Sequence, residues 1–417
     1  MSQLAATDIN EANQKAVEAI LSAQAVLVDL RPAGKAIPGF KPDLITYAGP
    51  PISWERMCFV QKRAIINLAI HEGLADTPEK ADKLISRGEI TIAPNHQYNN
   101  VSGMCGATSA SLPVLVFEDR LHERVAYTWL QTDLTSFGDK YERGVKEIEF
   151  IQEILAPVMQ ATIREAGGIN VKELLARGLQ MGDELHGSFD ASRGIFLNWI
   201  MPYMLRTDFP KDILAQVGDY FLSNQGRWSV GNLMMGGCKV MMDAARDIRL
   251  STVITTMASN GVEFGIRVSG LGDKWFTGPA GAIVGRVFPG YQASDSAPCI
   301  GDSPISETRG LGGTVLSASP SHAKFMGVNF SDAVAHTKSM YEVSIAEDPT
   351  YRIPYLDFRG TPVGLDLNKI IKTGITPKIN AAMAHKEGGH PMIGAGVAAV
   401  PFEAFKAALE AFVQEYV

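Results

Sequence analysis

Runs of lysine and arginine are missing from this sequence, and the formal charge is −7. That argues against a nucleic-acid surface, because phosphate binding rests on clustered cations. No stretch reads as a membrane span: the most apolar helical run, IFLNWIMPYML (195–205), is too short and contains Asn198 and Pro202. The opening MSQLAATDINEANQK is polar, without the apolar centre of a signal peptide. Cysteine is sparse. Cys58, Cys105, Cys238 and Cys299 lie far apart with no C-x-x-C pair, which fits reduced thiols in the cytoplasm and gives no support for a structural zinc.

Nucleotide and metal signatures are equally scarce. There is no G-x-x-x-x-G-K-[ST] loop and no H-E-x-x-H, since His71-Glu72 lacks its second histidine. A dinucleotide-type match, Gly394-x-Gly396-x-x-Ala399, lies near the chain end without the βαβ unit that gives such a motif meaning. No cofactor and no metal is expected, and a free-standing nicotinamide enzyme is disfavoured.

What remains is globular. Hydrophobic residues make up 46% and charged residues 20%, and 417 residues are too many for one compact core, so two or three domains are expected. Residues 10–23 have Val17, Ile20 and Leu21 on one helical face, followed by the apolar strand VLVDL (26–30) and a second short strand, DLITYAG (43–49). RAIINLAIHEGLA (63–75) reads as a buried helix, and Thr77-Pro78 starts another with an N-cap and a first-turn proline. EITIAP (89–94) and LPVLVF (112–117) read as strands. Val145, Ile148, Ile151, Leu155, Val158, Met159 and Ile163 mark a long helix ended by Gly167-Gly168. Helices continue to about residue 247. Asn260-Gly261 then joins two strands in a hairpin, residues 277–320 read as long loops, and a strand and an amphipathic helix close the chain. The expected fold is multi-domain, mixed α/β and α+β: an N-terminal α/β region over 1–135 with a helical insertion near 52–88, a mainly helical region over 136–250, and an α+β region over 251–417.

Four clusters carry candidate chemistry. In PNHQYNNVSGMCGA (94–107), backbone N–H groups of a glycine turn can converge on an anion or a developing oxyanion, with His96 to move a proton; the alternative is a loop whose amides satisfy its own backbone. In MGDELHGSFDASRG (181–194), a continuous helix would align Asp183, His186, Asp190 and Arg193, the carboxylates holding the imidazole protonated; the alternative is a solvated polar face. In NGVEFGIRVSGLGDKWFTGPAG (260–281), Arg267 precedes Ser269, Gly270 and Gly272 and suits capture of a carboxylate or phosphate, unless it lies on the wet face paired with Glu263. In HKEGGHPMIGAG (385–396), His385, Lys386, Glu387 and His390 crowd two paired glycines. The loop SDSAPCIGDSPISETRGLGG (294–313) offers Asp295, Asp302, Glu307 and Arg309 as wall residues.

The order and spacing of VSGMCG after N-H-x-x-N-N, then MGDELH, then NGVEFGIRVSGLGDKWFTGPA, then AHKEGGHPMIGAG resemble the YlbE-like proteins, encoded beside FdrA-type proteins. The likeness runs from VLVDLRPAG to the last helix. It implies a Rossmann-like portion in the fold. It also implies a subunit of an oxamate carbamoyltransferase of anaerobic purine (allantoin) breakdown, working in an oligomer with an FdrA-like protein and a third subunit. On that implication a carbamoyl group moves between an amide nitrogen of a small acid amide and phosphate. Arg267 with the Ser269, Gly270 and Gly272 turn, His385 and Lys386 would bind anions. The Asn100, Gly103 and Gly106 loop would polarise the carbonyl, and His96 or His186, with Asp183, would handle the proton. Cys105 stands as a possible nucleophile. The alternative is a non-catalytic scaffold or ligand-binding subunit of an FdrA-containing complex. Three of the four clusters are expected to line one cleft.

Overall fold

A computed structural model describes residues 3–131 and 141–416. The boundary expected at 135–136 lies outside the described residues. The fold is a mixed, multi-sheet assembly of α and β elements. Its first sheet runs Arg124–Trp129, Pro113–Asp119, Val26–Pro32, Ile169–Asn170, with every pairing antiparallel. A smaller sheet pairs Leu44–Tyr47 in parallel with Thr91–Pro94, and helices Phe59–His71 and Pro78–Ser86 form the crossover between them. Of the expected Rossmann-like portion, the described residues contain this one βαβ unit; the neighbouring sheet is antiparallel.

Local chemistry accounts for many element ends. The Thr77 side chain accepts from the Lys80 N–H, and Pro78 fills the first helical position, where a missing N–H does no harm. Asn170 caps helix Val171–Gln180 in the same way. The long helix is present but interrupted: Tyr141–Phe150 and Ala156–Glu165 flank a π-turn at Ile151–Leu155. Pro157 explains the widened turn, because it has no N–H to give to the preceding turn and its ring crowds that turn's carbonyl. Gly167 and Gly168 then reverse the chain at positive φ.

The hairpin at Asn260-Gly261 joins Ile254–Asn260 to Glu263–Val268 in a second sheet, which Phe276–Pro279 and Ile300–Gly301 complete. A third sheet sets Gly394–Ala399 between Val284–Val287 and Lys378–Met383. Helix Asn224–Asp243 is the molecule's pillar, packing on strands Arg124–Trp129 and Pro113–Asp119 and on helices Lys211–Leu222 and Ile305–Arg309. Gly236 permits the approach, since a Cβ there would stand 2.1 Å from the Phe117 ring. One apolar core, from Ala16 through Val363, takes in the first sheet, the helical middle and buried residues of the C-terminal part such as Ile305, Leu311 and Val315. A second, containing Phe264, Ile266, Phe405 and Phe412, lies under the C-terminal sheets.

Two expectations are corrected. Residues 181–189 are not helical: the chain passes through positive φ at Gly182 and Leu185, and the helix begins only at Asp190. The supposed long loops at 277–320 hold short elements, and Ile305–Ala318 is buried throughout.

Candidate functional site

The corrected segment builds one wall of a cavity of ≈ 110 Å³. Because the chain bends at Gly182 and Leu185, His186, Gly187 and Phe189 turn toward this space. Gly103 and Met104 from the first cluster, Asn232 and Met235 from the pillar helix, Cys299 and Ser303 from the wall loop, and Met392 and Ala395 from the last cluster also line it. Three of the four clusters therefore contribute to one cleft, and the Arg267 cluster does not.

His186 and His322 are the basic groups among the lining residues, and two buried carboxylates stand behind them. Glu307 Oε1 accepts from His186 Nδ1 at 2.6 Å, from Gly313 N at 2.7 Å and from Asn380 N at 3.1 Å, while Oε2 accepts from Ser306 Oγ. Glu184 accepts the N–H groups of His186, Gly187 and Ser188 and the Asn380 Nδ2 amide at 3.0 Å, and lies 3.3 Å from His322 Nε2. Burial pulls the His186 imidazole down, but the charge and hydrogen bond of Glu307, with Glu184 behind it, outweigh burial and leave its pKa raised. Glu307 thus orients the His186 ring and favours its protonated form, with Nε2 the ring nitrogen on the side away from Glu307.

Glycines make this convergence possible. A Cβ on Gly312 (φ +58) would lie 2.5 Å from Glu307 Oε1 and 2.8 Å from His186 Cβ, and one on Gly313 would lie 2.2 Å from the Lys378 carbonyl. A Cβ on Gly187 would meet His322 Nε2 at 2.5 Å. At the opposite rim, Gln131 brackets Gly103, accepting from its N–H at 2.9 Å and donating to its carbonyl at 2.7 Å. Gly106 gives Gln131 room, for a Cβ there would stand 2.0 Å from Nε2.

The first and third clusters meet elsewhere, in a charge network that is buried except at Asp273. His96 packs edge-on to Trp275 at 5.5 Å, and the Arg267 guanidinium covers the same ring at 4.5 Å. Arg267 is 3% exposed and donates to Asp273 at 3.0 Å, so it lies on neither the wet face nor the cavity wall. Arg246 bridges Asp273 and Asn99, and Lys239 pairs with Asp243 one turn away. Burial holds the His96 imidazole below its usual value despite Asp302 at 3.4 Å, so it is neutral at pH 7. Burial likewise draws Lys239 down to about 8 against the pull of Asp243.

The remaining expected residues serve the fold. Asp183 accepts from Ser192 N and Oγ, Ala191 N and Ser188 Oγ, which satisfies the start of helix Asp190–Met204 and leaves it no role on the ring of His186. The Asn100 amide donates to Asn95 and Thr108. In the Ser269–Gly272 turn, Ser269 N and Gly270 N donate to the Val253 and Ser251 carbonyls, and Ser269 Oγ donates to Ala245 O. Gly272 supplies the positive φ that ends this turn. His385 stacks on His390 at 4.0 Å, Lys386 donates to the Ser294 carbonyl, and neither lines the cavity. Cys105 is buried outside it. Missed from the sequence were Glu184, His322, Asn380 and Gln131; Glu307 had appeared only as a generic wall residue. The doubled glycine after Leu311 was the one legible sign that backbone must come close there.

Comparisons with known proteins agree in direction. A family model described as the oxamate carbamoyltransferase subunit AllG matches residues 90–303. Over 414 residues the chain is 36% identical to the oxamate carbamoyltransferase subunit AllG of Escherichia coli (strain K12), covering 98% of each. It is 35% identical over 414 residues to the uncharacterized protein YahG of the same organism, covering 99% of this chain and 87% of that one. The crystal structure of a conserved protein of unknown function from Enterococcus faecalis V583 superimposes with a TM-score of 0.95 at 36% identity, covering 98% of this chain and 99% of that one.

Proposed function

This chain belongs to the family of the oxamate carbamoyltransferase subunit AllG, and from that membership we propose that it is a subunit of a carbamoyl-transferring enzyme whose small acid amide binds in the cavity beside His186. The observation that carries the reading is the His186–Glu307 couple at 2.6 Å in the wall of a small, largely apolar cavity. About 150 Å³ of such space accommodates benzene, so ≈ 110 Å³ suits a ligand of about half a dozen non-hydrogen atoms. Oxamate is of that size.

The reaction breaks the bond between the carbamoyl carbon and the amide nitrogen, and forms a bond from that carbon to a phosphate oxygen. The departing nitrogen takes a proton, and His186 Nε2, whose protonated form Glu307 favours, is the donor. In the opposite direction the same imidazole takes the proton back. Phe189, Met235 and Ile300 keep water from the carbamoyl carbon. The described lining residues include no lysine or arginine. The phosphate charge is therefore met by groups of a partner, an FdrA-like protein with a third subunit, and the pathway is anaerobic purine (allantoin) breakdown.

That lack of lysine and arginine among the described lining residues also favours a second reading, a ligand-binding or scaffold subunit whose chemistry lies in the FdrA-like partner. His186→Ala in the reconstituted assembly separates them, with oxamate-dependent turnover and assembly mass measured together. Loss of turnover by about 10²-fold or more with the complex intact supports the proposal; unchanged turnover in an intact complex supports the scaffold.

A further inference from the structure

We infer that Asn380 selects for a ligand bearing an amide N–H, its side-chain carbonyl accepting from the ligand's NH₂ group. The inference rests on the cavity being the ligand site, as proposed above, and goes beyond it by naming a specificity residue and the group it reads.

The orientation of the Asn380 amide follows from its surroundings. Glu184 Oε2 is 3.0 Å from one amide position and already accepts from the His186 N–H, while Oε1 accepts from Gly187 N and Ser188 N. A carboxylate used as an acceptor on every side tolerates only a donor at the remaining approach, so the NH₂ of Asn380 faces Glu184 and its carbonyl faces away. The backbone is pinned too, because Asn380 N donates to Glu307 Oε1 at 3.1 Å. Rotation cannot bring the carbonyl to another partner without breaking the contact to Glu184.

Asn380 is 1% exposed, and its Oδ1 is a buried acceptor with no hydrogen-bond partner. Such a group is costly to leave unmatched. Asn380 also lines the cavity, together with His186, which is anchored to the same carboxylate. The two present opposite demands: His186 offers N–H to a ligand, and Asn380 offers a carbonyl. A primary amide satisfies both, its oxygen accepting and its nitrogen donating. A ligand with a methyl group or a carboxylate oxygen at the nitrogen position leaves Oδ1 unmatched, or sets acceptor against acceptor.

Oxamate and pyruvate test this, being equal in size and charge and differing in NH₂ against CH₃. Their binding to the full chain, alone and in the reconstituted complex, is measured by calorimetry. Wild type is expected to prefer oxamate by about ten- to a hundredfold. Asn380→Ala is expected to bring the ratio near unity while retaining pyruvate binding, whereas a merely structural role would weaken both ligands alike. Equal wild-type affinities need no variant to overturn the inference, and oxamate preference that survives in Asn380→Ala overturns it while leaving the cavity reading intact. Binding of neither ligand, alone or in the complex, overturns both.

Discussion

Replacing Glu307 by glutamine tests the physical basis of the site, because the change keeps shape and removes charge. Three N–H donors converge on Glu307 Oε1, those of His186, Gly313 and Asn380. Hydrogen bonds to a charged group contribute about 1.5–3 kcal/mol each, against about 0.5–1.5 for neutral pairs. Losing charge assistance on three bonds therefore costs about 3 kcal/mol. The cost depends on pH with a definite sign. The folded-state pKa of His186 is raised over its unfolded value of about 6.5, so the stability from this couple is fully present below about pH 6.5 and is lost as pH rises through the folded value. Glu307→Gln should consequently destabilise more at about pH 6 than at about pH 9 in urea unfolding. With the Glu307 anion gone, burial is opposed by Glu184 alone, and the His186 resonance in an NMR titration should move to lower pKa. An equal loss of stability at both pH values, or a His186 titration unmoved by the substitution, would refute the account.

Lys239→Met should destabilise by about 3–5 kcal/mol, since Asp243 would stay buried with Arg246 at 3.9 Å as its nearest remaining cation. The double change Lys239→Met with Asp243→Leu should cost less than Lys239→Met alone; denaturant unfolding of both variants checks the order, and the reverse order would contradict it. Gly106→Ala should dislodge Gln131 from both backbone groups of Gly103, at a cost of about 1–3 kcal/mol, and should weaken ligand binding at that rim. An unchanged melting curve and affinity would show that Gln131 has another place to go.

Much of the scaffold was legible from short-range chemistry. Thr77-Pro78, Asn170, the Asn260-Gly261 hairpin and the Gly167-Gly168 stop act within a few residues of themselves, and each does in the structure what its neighbours require. The same local signals misread residues 181–189, where polar spacing resembled a helical face. There the chain bends so that Glu184 can collect three successive N–H groups and Asp183 can satisfy the following helix. No periodicity announces a carboxylate used in this way.

By itself, the sequence determined the mixed α and β elements, their caps and turns, the absence of lysine and arginine runs, and, among the described residues, the absence of a helix long and apolar enough to cross a membrane. These properties follow from backbone geometry and side-chain polarity over a few neighbouring residues. Only the tertiary structure decided which histidine faces a cavity and which lies neutral in a charge network. Glu307 meets His186 across 121 residues of chain, and Asn380 meets Glu184 across 196. Burial, which sets the worth of each hydrogen bond and the direction of each pKa shift, exists only once those distant segments have closed on one another.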